Sequence, residues 1–191
     1  MAQSVHHVFT FAEYVYLESD STVRHEFFGG RLWAMAGGSP RHAATAARIL
    51  HALAGQLRDR PCEVFTSDLR IRVQATGLAT YPDCSVVCGS LELDPEDPKG
   101  HTVVNPKVVV EVLSPSTEVY DRGEKRQHYQ TIPSLQEIVL VHHDARSIEV
   151  WRRADEAHWV RHEFAAGKAT LASIDCELEL DEIFRDPLAN G

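Results

Sequence analysis

Two acidic residues interrupt apolar stretches of this chain, where a charged group is costly to bury. Asp83 follows Pro82 and precedes the stretch CSVV, and Glu111 lies inside the stretch VVVEVL. A charge in such a place is unfavourable unless it is paired, neutralised or bound to a metal. If the two stretches are neighbouring strands, both carboxylates can bind one Mg²⁺ ion, which prefers oxygen ligands and keeps several waters. The pattern predicts a magnesium site at Asp83 and Glu111, in which Mn²⁺ can substitute.

Each carboxylate taken alone also has an explanation without a metal. Glu111 can pair with a buried arginine or lysine, and Asp83 can end the turn after Pro82. Interior ion pairs of this kind are not rare. The metal site is favoured because two such residues occur together.

The segments around these residues predict the elements that position them. Residues 107–113 are rich in β-branched side chains, as in a strand that is covered on both faces. Ser39-Pro40 opens a helix through Leu57, and a capping box at residues 121–124 opens a second helix that runs to Thr131. Further strands are predicted at Val64-Phe65, 69–73 (half-exposed), 81–87 and 136–141. This order favours an α/β (α+β) fold, a mixed central sheet flanked by helices.

Additional elements are predicted at both ends of this core. A capping box at Thr10–Glu13 indicates a short N-terminal helix, and Gly29-Gly30 indicates a hairpin of residues 25–28 and 31–36. A C-terminal hairpin is predicted from residues 147–152 and 158–164. Residues 89–106 have no hydrophobic period and are predicted to be a surface loop.

Length and composition predict one intracellular domain over residues 1–191. Apolar residues make up 43% of the chain and charged residues 25%, as in ordinary globular proteins. The four cysteines form no CxxC pair, and Cys84 and Cys88 are predicted to be reduced core thiols. The start has no basic segment followed by an apolar one, and no 18 consecutive residues are apolar, which predicts a cytoplasmic protein without a membrane segment.

The net charge argues against broad electrostatic attraction to nucleic acid. Asp and Glu number 28 against 19 Lys and Arg, which gives a net charge of −9. Such a chain repels DNA at long range. Any contact with DNA must then be local, or be supplied across a dimer.

Several motifs together resemble the Uma2 family, a branch of the PD-(D/E)XK nuclease superfamily. They are YPDCSVV, PKVVVEVLSPST, DRGEKRQHY and QEIVLV, and the resemblance extends from FAEY to ELDEIF. It implies a restriction-endonuclease-like core and Mg²⁺-dependent hydrolysis of phosphodiester bonds in DNA. Asp83 and Glu111 would hold the metal. Nucleases that cut both strands commonly pair by two-fold symmetry, so a homodimer is expected.

The resemblance also implies a relocated catalytic lysine. The superfamily has a lysine two residues after the glutamate, where this chain has Leu113. The Uma2 spacing of Asp, Lys and Tyr, each separated by three residues, implies that Lys125 replaces it. Glu26 and His42 match further family positions and are expected to be accessory ligands or phosphate contacts.

Two other functions stay open at the level of sequence. The chain can be a binding or regulatory module on a nuclease fold that has lost catalysis with its strand lysine. It can also be a magnesium-dependent phosphoesterase for a small molecule, which the acidic charge would suit. Convergence of Asp83, Glu111 and Lys125 would favour a nuclease over the first alternative, and an open groove rather than a closed pocket would favour it over the second.

Overall fold

The computed structural model describes residues 7–35 and 37–188. Its helices are α1 (Phe11–Asp20), α2 (Pro40–Leu57), α3 (Glu118–Tyr120), α4 (Arg126–Gln130) and α5 (Leu180–Ile183), and a π-helical turn (Asp121–Lys125) joins α3 to α4. Its strands are β1 (His25–Phe28), β2 (Arg31–Ala34), β3 (Cys62–Thr66), β4 (Arg70–Val73), β5 (Leu78–Thr80), β6 (Cys84–Cys88), β7 (Thr102–Val103), β8 (Val108–Val112), β9 (Glu137–His142), β10 (Ser147–Arg153), β11 (Trp159–Phe164), β12 (Lys168–Leu171) and β13 (Cys176–Glu179).

Two sheets carry the architecture. The larger has six strands in the order β11-β10-β9-β8-β6-β3, with β8 and β9 parallel and the other neighbours antiparallel. The smaller has five strands in the order β2-β1-β5-β4-β7, and β12 pairs with β13 separately. The predicted mixed sheet with flanking helices, both predicted hairpins and the covered position of β8 are confirmed.

Apolar side chains form a layer on each face of the six-stranded sheet. On one face Ile49 and Leu53 of α2 pack against Val86, Val110 and Val139. The opposite face packs against α4 and the five-stranded sheet through Val109, Leu140, Tyr129 and Ile71. Because side chains alternate along a strand, Glu111 lies on the same face of β8 as Val109, between the two sheets.

The strand predicted at residues 69–73 is confirmed as β4, but its predicted half exposure is wrong, because all four residues of β4 are buried. Arg70 donates to Asp97 at 3.0 Å, and the Arg72 guanidinium lies 3.7 Å from the ring centroid of Phe11. Ion pairing and contact with aromatic rings thus allow both arginines to be buried.

The loop predicted at residues 89–106 is only partly correct. It contains the short strand β7, which runs parallel to β4, and Asp94 and Asp97 are buried. Asp97 accepts hydrogen bonds from Arg70 and Thr102. The acidic segment is therefore held down by the arginines of β4, a long-range pairing that local sequence does not reveal.

The second helix and one cysteine also differ from expectation. The helix begins at Glu118 rather than Asp121, and the Asp121 N–H donates to Thr117 O, so Asp121 is an interior residue and not a cap. Cys88 is not a free thiol, because the β3–β6 register places it opposite Cys62 and the two form a disulfide. Cys84 is a free, buried thiol as predicted.

Some features lie beyond what was predicted or described. Strands β5, β12 and β13 and helix α5 were not expected. Ala36, the predicted end of the first hairpin, lies outside the described residues, and β2 ends at Ala34. No helix within the described ranges is long and apolar enough to cross a membrane.

One buried carboxylate yields a test of the packing. Glu137 is fully buried, and it accepts hydrogen bonds from Arg152 and from the Ala172 and Ser173 backbone, which ties β9 to the β12–β13 turn. We predict that Glu137→Ala lowers the free energy of unfolding by about 3–5 kcal/mol, because it leaves these donors unpaired. Urea denaturation measures this change. Glu163→Ala, which removes an exposed partner of Arg161, should cost less than about 1 kcal/mol; equal effects of the two variants would contradict the assignment.

Candidate active site

The two carboxylates singled out from the sequence lie on neighbouring strands. Cys84 of β6 pairs with Val110 of β8 in antiparallel register. Asp83, one residue before Cys84, is therefore level with Glu111, one residue after Val110. The Val112 N–H donates to Asp83 Oδ2 at 2.7 Å, so Asp83 is hydrogen bonded to the end of β8.

A lysine and a tyrosine from the helical segment after β8 bind Glu111. Lys125 Nζ lies 2.8 Å from Glu111 Oε1, and the Tyr129 hydroxyl donates to the same oxygen at 2.6 Å. Only 5% of Glu111 and 4% of Lys125 is exposed. The ion pair is thus removed from bulk water, and packing on both sides holds its geometry.

Lys125 also pairs with two other carboxylates. Its Nζ lies 3.0 Å from Glu26 Oε1 on β1 and 3.5 Å from Asp121 Oδ1 on the π-helical turn. The Thr80 hydroxyl donates to Glu26 Oε1 as well. We call Lys125, Glu26, Glu111 and Asp121 the lysine–carboxylate cluster. It joins the five-stranded sheet, the six-stranded sheet and the helical segment through one ammonium group.

Lys125 and Asp121 both face inward from the π-helical turn. Turns of this kind are rare and occur frequently at functional sites. Asp121, Lys125 and Tyr129 are spaced by four residues, which places them on one side of the helical segment, and all three are buried. Lys125 therefore lies in the second helical turn, not in the first turn that a start at Asp121 would imply.

His42, in the first turn of α2, contacts the other carboxylate. Its Nε2 lies 3.3 Å from Asp83 Oδ2, and Ser39 caps the helix by accepting from the His42 N–H. The hydrogen bond with Asp83 raises the pKa of His42 despite partial burial. The imidazolium form is therefore favoured beside the Asp83 carboxylate.

The pKa values of Glu111 and Lys125 are both raised, for different physical reasons. Burial raises the pKa of Glu111 to about 8, and the Lys125 ammonium opposes this shift. Burial alone would lower the pKa of Lys125, but the Glu111 charge and the other acidic neighbours raise it well above its ordinary value. Shifts of this size cluster at functional sites.

The carboxylate oxygens suit a small divalent cation. Hydrogen bonds and ion pairs converge on Oδ2 of Asp83 and on Oε1 of Glu111, which leaves the second oxygen of each for a further ligand. Mg²⁺ is commonly bound through one or two carboxylates plus waters. Within residues 7–35 and 37–188, no group of three or more His, Cys, Asp or Glu side chains is arranged to hold a metal. A hydrated ion held by one oxygen of each carboxylate needs no third protein ligand.

A cleft of about 990 Å³ opens at Asp83 and His42. Its walls come from the end of α1, the loop after it, the first half of α2 and the β3–β4 turn, and they include Arg24, Arg70 and His101. Asp83 and His42 therefore lie at a cleft whose walls carry both cationic and acidic side chains, among them Arg24 and its partner Asp68.

All five predicted site residues contribute to this region. Glu111, Lys125 and Glu26 lie in one cluster, whereas Asp83 pairs with His42 at its side. Three contacts were not predicted as such: the Tyr129 hydroxyl on Glu111, the Asp121 carboxylate on Lys125 and the Thr80 hydroxyl on Glu26. The spacing of Asp121, Lys125 and Tyr129 was the available signal for the first two, and no local signal marks Thr80.

Comparison with known proteins assigns the family. The family model of Uma2, described as "Putative restriction endonuclease", matches residues 11–181. The chain belongs to the Uma2 family. Two uncharacterized Synechocystis sp. proteins are similar over most of their length: slr1290 is 37% identical, covering 91% of this chain and 90% of the relative, and sll1609 is 29% identical, covering 86% and 92%.

A solved structure supports the fold of this Uma2 protein. The crystal structure of a "putative nuclease belonging to DUF820" from Anabaena variabilis matches with a TM-score of 0.69 and 16% identity, covering 86% of this chain and 91% of that one. At this identity the match shows the fold alone. The expected nuclease-like fold is confirmed.

The buried ion pair gives a prediction about stability. Lys125→Met should lower the free energy of unfolding by about 3–5 kcal/mol at pH 8, because three acidic side chains lose their counter-charge. Without Lys125 the carboxyl groups of the folded state bind protons more tightly than those of the unfolded state, so stability should recover as the pH falls. Urea denaturation at pH 8 and pH 5.5 measures both effects.

The exposed Lys168, which pairs with Glu177 on the surface, supplies the control. Lys168→Met should cost less than about 1 kcal/mol at either pH. Lys125→Met with unchanged or increased stability at pH 8 would show that Lys125 is not a buried counter-charge.

Proposed function

We propose that this protein is a divalent-metal-dependent endonuclease that hydrolyses phosphodiester bonds in DNA. Asp83 and Glu111 hold Mg²⁺ or Mn²⁺, Lys125 is the catalytic lysine, and Glu26 and His42 are accessory. The observation that carries the proposal is the contact of Lys125 Nζ with Glu111 at 2.8 Å. Lys125 supplies an ammonium group from the helical segment. The position that has a lysine in the superfamily motif is the buried apolar residue Leu113 in this chain.

Two of the residues are the metal ligands, and the others orient these ligands or act on the substrate. Tyr129 and Lys125 fix Glu111, while His42 and the Val112 N–H fix Asp83. A bound divalent ion would polarise the scissile phosphate and lower the pKa of its water. The Lys125 ammonium stabilises negative charge that develops on the phosphate. Glu26 and Asp121 hold that ammonium in place between turnovers.

The adjoining cleft supports a polymeric substrate. It includes Asp83 and His42, and its wall carries the exposed guanidinium group of Arg24, which a phosphate would share with Asp68. Such a contact is local, as a net charge of −9 requires. Hydrolysis of a small phosphodiester with no activity on DNA would assign the site to the small-molecule class instead.

Metal binding tests the ligand assignment. Asp83→Ala should lower the affinity for Mg²⁺ and Mn²⁺ by at least about tenfold, because an ion held by two carboxylates loses one of them. Calorimetric titration measures this. Asp155→Ala, which removes an exposed carboxylate from the β10–β11 turn, should bind as wild type does. Equal affinity of wild type and Asp83→Ala would contradict the assignment.

Turnover tests the lysine. Lys125→Met should lower turnover on DNA by a factor on the order of a hundred to a thousand, because it removes a charge that acts in the transition state. Its metal affinity should be kept or raised, since an ammonium no longer competes for Glu111. Cleavage of plasmid DNA with saturating Mn²⁺, beside calorimetry on the same samples, separates the two effects, and Lys168→Met serves as the control. Full activity in Lys125→Met would exclude a catalytic role for this lysine.

A homodimer belongs to the same proposal. Two copies related by two-fold symmetry would present two sites to the two strands of a duplex. Light scattering at micromolar protein concentration should give about twice the mass of the 21.4 kDa chain. A mass of one chain throughout this range would contradict the homodimer.

A further inference from the structure

The edge strand β2 presents an aromatic and a cationic side chain together. Trp33 is 47% exposed, and Arg31 is exposed two residues before it. The ion pairs and hydrogen bonds of the described residues do not include the Arg31 guanidinium, whereas many other arginines of this acidic chain, such as Arg24 and Arg122, are paired with carboxylates. Arg31 is therefore a cation without a counter-ion among the described residues.

The strand register places Trp33 beside the lysine–carboxylate cluster. Trp33 pairs directly with Glu26 across the β1–β2 hairpin, and directly opposed residues of an antiparallel pair lie on the same face, about 5 Å apart. Glu26 Oε1 in turn lies 3.0 Å from Lys125 Nζ. Trp33 is thus the exposed neighbour of a residue that contacts the candidate catalytic lysine.

The same register places Arg31 on that face. Arg31 pairs with Phe28, which packs edge-on against His128 of α4 at 4.6 Å between ring centroids. The intervening residue, Leu32, packs instead with Phe27 in the apolar cluster beneath α1. One face of β2 therefore packs towards the interior, and the other presents Arg31 and Trp33 next to the site.

We infer that Trp33 stacks on an unpaired nucleobase of a nucleic-acid substrate and that Arg31 binds the adjoining phosphate; this rests on the proposed function. An aromatic side chain can stack on any base, and a neighbouring cation compensates the phosphate charge. Together they hold one nucleotide next to Lys125 without reading its sequence. They also supply the local attraction that a protein with a net charge of −9 needs.

Fluorescence can isolate this contact. In a Trp151→Phe/Trp159→Phe background Trp33 is the single tryptophan, so its emission reports on its own surroundings. The probes are single-stranded oligodeoxythymidylate, a duplex of the same length, and an abasic oligonucleotide that retains the sugar-phosphate chain. With EDTA present, so that nothing is cleaved, the single strand should quench Trp33 and the abasic strand should not.

Variants then measure the contribution to affinity by anisotropy of the labelled single strand. Trp33→Ala should weaken binding about tenfold, and Trp33→Phe should restore most of it. Arg31→Ala should weaken binding and make it less dependent on salt by about one phosphate contact. Val160→Ala, at an equally exposed apolar position on β11, should bind as wild type does.

The outcomes separate this inference from the proposed function. Trp33-dependent binding without cleavage in Mg²⁺ or Mn²⁺ would refute the nuclease and leave the stacking contact. Cleavage of DNA with no quenching and unchanged affinity in Trp33→Ala would refute the stacking contact and leave the nuclease. Failure of wild type to bind any of the three probes would also refute the stacking contact. A Trp33→Ala protein that is monomeric but keeps wild-type affinity would refute it as well, and would show that this surface binds a second copy of the chain.

Discussion

The buried ammonium of Lys125 is the interaction on which the site depends. It lies within 3.5 Å of carboxylates from β1, from β8 and from its own helical segment, so one charge links both sheets. Removing such a charge leaves several acidic groups in a poorly solvated interior. Loss of one member therefore leaves the others without their charge partners.

The sheet topology brings the charged side chains together. Asp83 and Glu111 are level because β6 and β8 are antiparallel neighbours, and the parallel β8–β9 connection requires a helical crossover that passes over the same face. Lys125 and Tyr129 lie on that crossover. Glu26 arrives from the other sheet, whose apolar side chains pack on the same layer as Val109 and Tyr129. The layered packing thus sets the distances on which the chemistry would depend.

Much of this could be predicted from the sequence because it is local. Glu111 was identified by the apolar residues around it, and α1, α2 and both hairpins by caps, period and turn residues. Burial of Arg70 and Arg72 could not be predicted, since it depends on Asp94 and Asp97 more than twenty residues away. The π-helical turn has no local signature either, so the start of the second helix was misplaced. Lys125 was assigned from the Uma2 spacing, because its neighbours in the sequence do not distinguish a buried lysine from a solvent-exposed one.

Anomalous diffraction from crystals soaked in Mn²⁺ would test the two-carboxylate metal site most directly, because it locates the ion without relying on activity. We expect a manganese peak within bonding distance of both Asp83 and Glu111, which disappears in Asp83→Ala crystals soaked in the same way. A peak bound to other residues, or none at a Mn²⁺ concentration that supports DNA cleavage, would contradict the assignment of these two carboxylates as the metal ligands.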